Sequence, residues 1–185
     1  MSESSRKHKN EAPKKINFAV IVSSSSRYQK LKERKAFSDP SGDLIVELLR
    51  KAGHSVASRE ILPDDRVLLA KYVGNAIGSE EVDAIIVCGG TGVSITDVTI
   101  ETLRPLMIKT LPGFGELFRK LSYDEIGSAA IMTRALAGVT DQGKVLFCIP
   151  GSPQAVKLVM EKLILPETGH ILKHAREKQF DSKIF

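Results

Sequence analysis

Tryptophan is missing from this 185-residue chain, and the other aromatics amount to seven Phe and three Tyr. A nucleic-acid binder that stacks bases on aromatic platforms is therefore not indicated. Cysteine occurs twice, at Cys88 and Cys148, each in an apolar run. The pair reads as reduced, buried small residues and gives no zinc-ligand spacing. Long hydrophobic runs are also lacking. The longest, near Phe18–Val22 and Ala84–Cys88, match a strand and fall far short of the ~20 residues of a membrane span. Residues 1–15 are polar and charged, without the apolar stretch of a secretory signal. A cytoplasmic protein with no membrane partner is expected.

The net charge of +5 is unevenly placed. The first 15 residues hold five basic and two acidic side chains. Removing them from totals of 27 and 22 leaves 22 basic against 20 acidic, a body of only +2. Residues 1–15 are read as a disordered basic tail, 16–178 as one domain and 179–185 as a C-terminal tail. No nucleic-acid partner is expected.

Apolar runs alternate with helical patterns along the domain. Ile16–Val22 and Asp83–Cys88 are nearly continuous in apolar residues, which suits strands covered on both faces. His54–Leu62 and Lys144–Ile149 read as further strands. Ser23 to Asp39 is poor in apolar residues and reads as a long loop or frayed helix. Leu44, Ile45, Leu48, Leu49 and Ala52 share a helical face that Gly53 ends. Further helices are read over Pro63–Gly78, Thr99–Arg104, Glu116–Leu121, Ala155–Ile164 and Glu167–Lys178. Ser128–Ala137 is helical or mixed. The alternation predicts an α/β fold, a three-layer α/β/α single domain with a mostly parallel sheet. In such folds, ligands lie beyond the C-terminal ends of the strands.

Four segments occupy such ends. Gly89-Gly90-Thr91-Gly92 follows a buried strand; it can offer main-chain N–H groups to an anion, or it is simply a tight turn. Asp97 is either a helix N-cap or a carboxylate bridged to phosphate by magnesium. Asp64, in Pro63-Asp64-Asp65, is either a second such carboxylate or part of a helix cap. Ser152, in Pro150-Gly151-Ser152-Pro153, suits an N-cap whose helix start also makes an anion site. Ser23 and Ser24 offer hydroxyls at the end of the first strand. Glu116 can be a first-turn acid and no more. None of the four histidines falls at these ends.

As a set, Gly89–Gly92, Asp97-Val98-Thr99, Pro112-Gly113-Phe114-Gly115-Glu116 and Pro150–Pro153 resemble the MoaB/MogA family of molybdenum-cofactor biosynthesis, to which the gephyrin G domain is related. Leu121–Gly127, Thr133–Val139, Asp39–Gly42 and Gly53-His54 look closest to the MoaB branch. The resemblance implies a three-layer molybdopterin-binding fold. It implies magnesium-dependent transfer of AMP from ATP to the terminal phosphate of molybdopterin, with release of pyrophosphate. Asp64 and Asp97 match the family's two functional aspartates, as catalytic residues and magnesium ligands. Ser23, Ser24, Gly89, Gly90, Thr91, Gly92, Ser94, Glu116, Pro150, Gly151, Ser152 and Pro153 are the implied substrate-binding residues. A homo-oligomer, trimer or hexamer, is implied too, with other molybdenum-cofactor synthesis proteins as partners. The alternative is a non-catalytic molybdopterin carrier or an oligomeric scaffold on the same fold.

Overall fold

A computed structural model describes residues 12–177. The expectations placed on residues 1–11, most of the N-terminal tail, and on 178–185, the C-terminal tail included, lie outside the described residues. Six strands form one sheet: β1 (Asn17–Ser23), β2 (Ser55–Leu62), β3 (Ala84–Cys88), β4 (Lys109–Thr110), β5 (Leu136–Val139) and β6 (Val145–Ile149). Their order is β2-β1-β3-β6-β5-β4. The first four run parallel, and β5 and β4 continue the sheet antiparallel.

The helices are α1 (Ser25–Lys32), α2 (Pro40–Lys51), α3 (Arg66–Gly78), α4 (Thr99–Leu103), α5 (Pro112–Ile126), α6 (Pro153–Val159) and α7 (Leu165–Arg176). Strand alternation divides the core in two. Phe18, Val20, Ile86, Phe147 and Ile149 face one side, under α2, α5, α6 and α7. Ala19, Ile21, Ile85, Val87, Leu146 and Cys148 face the other, under α3 and α4. All residues of β3 and β6 are buried. Each large aliphatic side chain there contributes about 1.5–3 kcal/mol of transfer free energy. The result is the expected three-layer α/β/α domain. No helix among the described residues is long and apolar enough to cross a membrane.

The structure corrects several boundaries. The segment after Ser24 is a helix, α1, although it buries no residue; Ser24 caps it by accepting from Arg27 N. Ser128–Ala137 divides into a 3-10 stretch, Gly127–Met132, and the start of strand β5. The last two helices join through a π-helical turn, Met160–Ile164, which ends two residues before Pro166. Proline removes an N–H and clashes with the carbonyl four residues back, so a widened turn preserves helical continuity. Cys88 and Cys148 are free and buried, and burial pushes both thiols up to about 12. Neither is a reactive nucleophile at neutral pH.

Candidate active site

The strand order reverses between β1 and β3, since β1 connects outward to β2 while the chain later returns to β3 on its other side. Such a switch point opens a crevice at the C-terminal ends of the strands. Ser23 ends β1 there, Gly89 follows β3 and Pro150 follows β6. An open cavity of about 520 Å³ lies across these ends. Ser23, Gly89–Gly92, Asp97 and Pro150–Ser152 line it.

Two glycines fix the floor. Gly89 has φ +103° and Gly90 φ +61°, so both need the left-handed freedom of glycine. A Cβ on Gly89 would stand 2.3 Å from the Ser23 carbonyl oxygen. The turn is pinned by Gly89 N–H donating to Ile149 O (2.9 Å), Thr99 N–H to Gly90 O (3.0 Å) and Thr99 Oγ1 to Gly89 O (2.8 Å). Fully buried Thr99 thereby locks the loop to the start of α4.

The two aspartates flank this loop, and neither is the N-cap of the helix that follows it. Asp65 caps α3 by accepting from Leu68 N–H (2.8 Å). Asp64 is left to accept from Ser23 Oγ (2.8 Å), Ser25 N–H (3.0 Å) and Ser25 Oγ (2.8 Å). Its Oδ1 would lie 2.9 Å from a Cβ on Gly90. Asp97 also differs from the capping alternative: α4 begins after Val98 with no side-chain cap. Asp97 Oδ2 instead accepts Ser94 N–H (2.9 Å) and would lie 2.7 Å from a Cβ on Gly92. The glycine loop therefore runs between two carboxylates.

The far wall is the start of α6. Ser152 is its N-cap, accepting from Ala155 N–H (3.3 Å), and Pro153 occupies the first turn. Ser24, Asp64, Ser94, Glu116 and Pro153 are not among the lining residues. Ser24 caps α1, Ser94 belongs to the turn held by Asp97, and Glu116 lies exposed on α5.

Several participants carried no chemical signal in the sequence. Ser122 and Glu125 of α5, Met132 of the following 3-10 stretch and Arg134 just after it line the cavity. Arg134 forms an ion pair with Glu101. Burial pushes the Glu101 carboxyl up, but its hydrogen bond and charge pairing with Arg134 outweigh this, and the net shift is downward. The Asp39–Gly42 segment acts as a brace. Buried Asp39 caps α2 at Gly42 N–H (3.1 Å) and pairs with Arg59 (2.7 Å), while buried Ser41 donates to Gly151 O (2.7 Å). The α2 start is thus tied to the cavity wall. Because the Asp39–Arg59 pair and the Ser41–Gly151 hydrogen bond reach beyond their own segment, only the motif neighbourhood could have marked them.

With that geometry in place, comparison with known proteins decides the family. Residues 19–170 match the family described as "probable molybdopterin binding domain". The chain belongs to this family. A Bacillus subtilis protein named molybdenum cofactor biosynthesis protein B is 46% identical over 173 residues, covering 93% of this chain and 97% of that one. A Pyrococcus furiosus molybdopterin adenylyltransferase is 43% identical over 173 residues, covering 92% and 97%. The crystal structure of a molybdenum cofactor biosynthesis protein B superposes with a TM-score of 0.82 at 43% identity, covering 91% of this chain and all of the other. These similarities place the chain in the MoaB branch.

Proposed function

We propose that this protein acts in molybdenum-cofactor biosynthesis as a molybdopterin adenylyltransferase. The observation that carries the reading is the glycine loop held between Asp64 and Asp97 at the floor of one open cavity. The names of relatives 39–43% identical to this chain support it.

The reaction is a displacement at phosphorus. An oxygen of the terminal phosphate of molybdopterin attacks the α-phosphorus of ATP. The bond from that phosphorus to the bridging oxygen of the β-phosphate breaks, and pyrophosphate leaves with the electron pair. The protein's task is to hold two polyanions in line and to offset the charge that builds up. Main-chain N–H groups of Gly90–Gly92 and of the α6 start suit the phosphates. Arg134, on the rim, adds a fixed positive charge. Ser23 and Ser25 orient Asp64, and the Ser94 turn orients Asp97.

Two carboxylates beside phosphates would repel them without a cation. The donor set fits magnesium, which is commonly held by one or two carboxylates with substrate phosphates and water. Among the described residues Asp97 accepts one hydrogen bond, through Oδ2, so carboxylate capacity remains for such a ligand. Asp64 and Asp97 would hold the ion, and when bound it neutralises charge on the phosphate oxygens.

The same reading places the protein in the cytoplasm as a homo-oligomer, trimer or hexamer, working beside other cofactor-synthesis proteins. Exposed Tyr123, Ile126, Ile131 and Met132 offer an apolar surface suited to self-association. The deciding experiment incubates the protein with molybdopterin, magnesium chloride and α-labelled ATP. Label on the pterin with equimolar pyrophosphate is expected; tight pterin binding without label transfer would replace the enzyme by the carrier.

A further inference from the structure

A second cavity, of about 400 Å³, adjoins the proposed catalytic one. Ile100, Glu101 and Arg104 line it from α4 and the turn that ends it, Arg119 from α5, and Arg134 and Ala135 from the segment before β5. Arg134 lines both cavities. The two lie at the same end of the sheet, because Ala135 leads into β5, whose first residue Leu136 pairs with Cys148 near the C-terminal end of β6. Helix α4 leads from one to the other. Thr99 at its start locks the glycine loop, and Arg104 follows about 7–8 Å along the helix axis.

Three arginines and one carboxylate line this second cavity, which leaves it a net charge of +2. Glu101 is matched by its ion pair with Arg134. Arg104 and Arg119 make no ion pair or side-chain hydrogen bond among the described residues, so their guanidinium donors are open to a ligand. Arg119 does not simply extend into solvent. A Cβ on Gly115, one turn earlier, would stand 3.3 Å from Arg119 Nη1 and 2.8 Å from Ala135 O. The bare Gly115 lets the guanidinium fold back along α5 toward Ala135. Converging positive charges repel unless a counter-charge lies among them. The planar guanidinium fork matches phosphate oxygens in bidentate geometry.

We propose that Arg104, Arg119 and Arg134 form a diphosphate subsite, which holds the β- and γ-phosphates of the nucleotide before transfer and pyrophosphate after it. The assignment to the nucleotide rests on the adenylyltransferase reading; the affinity for diphosphate does not. The subsite puts guanidinium charge on the leaving group, where negative charge accumulates as the bond to the bridging oxygen breaks. Arg134, shared by the two cavities, stands at the junction between the α-phosphate and that leaving group.

The full, tag-free chain is titrated calorimetrically with sodium pyrophosphate, ATP and AMP, each with magnesium chloride. Arg104→Gln and Arg119→Gln should each weaken pyrophosphate and ATP binding by about tenfold or more, as loss of a charged hydrogen bond does, and AMP binding by about twofold at most. Arg104→Lys keeps the charge without the fork and should recover part of the loss. Both arginines are exposed, so the variants should keep the parent's Tm. No pyrophosphate binding by the parent, or binding unchanged in both glutamine variants, would overturn the subsite. Weakened pyrophosphate binding with ATP binding unchanged would overturn its assignment to the nucleotide. Label transfer to molybdopterin is read separately: a parent that distinguishes ATP from AMP through these arginines yet transfers no label keeps the subsite and loses only the enzyme.

Discussion

Asp64 and Asp97 flank the same loop but are held differently, and this separates their roles in folding from their roles in turnover. Asp97 is partly exposed and accepts one local hydrogen bond, from Ser94 N–H. Asn at position 97 keeps an oxygen for that bond, so Asp97→Asn should change stability by no more than about 0.5 kcal/mol. Asp64 accepts three hydrogen bonds, one of them from Ser23, whose side chain is 5% exposed. Asp64→Ala strands that buried hydroxyl and two groups of Ser25, a loss of about 1–3 kcal/mol. Turnover should respond the other way for Asp97. Removing one charge-stabilising group from a transferring phosphoryl centre costs on the order of 10²–10³ in kcat, about 2.7–4 kcal/mol. Urea unfolding and label transfer from ATP to molybdopterin, measured on both variants, check the pair. Asp97→Asn should be stable and nearly inactive, Asp64→Ala both weaker and inactive. Full turnover by Asp97→Asn, or a stability loss larger than that of Asp64→Ala, would refute the reasoning.

Gly89→Ala should cost roughly 1–3 kcal/mol through its φ of +103° alone, and the contact with Ser23 O should also displace the loop and depress kcat/KM. Thermal melts and the transfer assay read the two effects. Ser41→Ala removes the hydrogen bond to Gly151 O, so stability should fall by about 1 kcal/mol and KM should rise more than kcat falls. A pH effect is expected at His54, whose Nδ1 is buried without a partner and whose pKa is lowered by burial. Above its ordinary value near 6.5 the ring is neutral folded and unfolded, and its stability contribution is complete. As pH falls through the lowered folded value, the unfolded chain takes up the proton first and stability is lost. His54→Phe should therefore show a smaller drop in Tm between pH 7.5 and 5.5 than the parent; an equal drop would remove His54 as the cause.

The parallel half of the sheet was legible because strands covered on both faces must be apolar throughout, as β1, β3 and β6 are. The antiparallel half was not. Leu136–Val139 is four residues long and Lys109–Thr110 only two, and their identity as strands depends on pairing with β6 and with each other. Helix α1 was obscure for a related reason: it buries no residue, so no apolar periodicity marks it. At the site, the glycine loop and the Ser152 start could be placed from residue type alone. The assignment of Asp97 could not, because an Asp two residues before a helix suits a cap equally well. Only the coordinates show it closing the Ser94 turn instead.

That difference bears on why this arrangement suits a phosphate pocket. Were both aspartates the N-caps of α3 and α4, they would serve only to favour those helices. Asp65 takes over capping at α3, and α4 starts with no side-chain cap at all. Asp97 is thereby left on the cavity lining and Asp64 beside Gly90, where like charges from a substrate would be unwelcome without a cation. The fold thus forgoes about 0.5–2 kcal/mol of capping free energy at α4. What it gains is an acidic group packed beside Gly92, in the loop that the proposed substrate phosphates must touch.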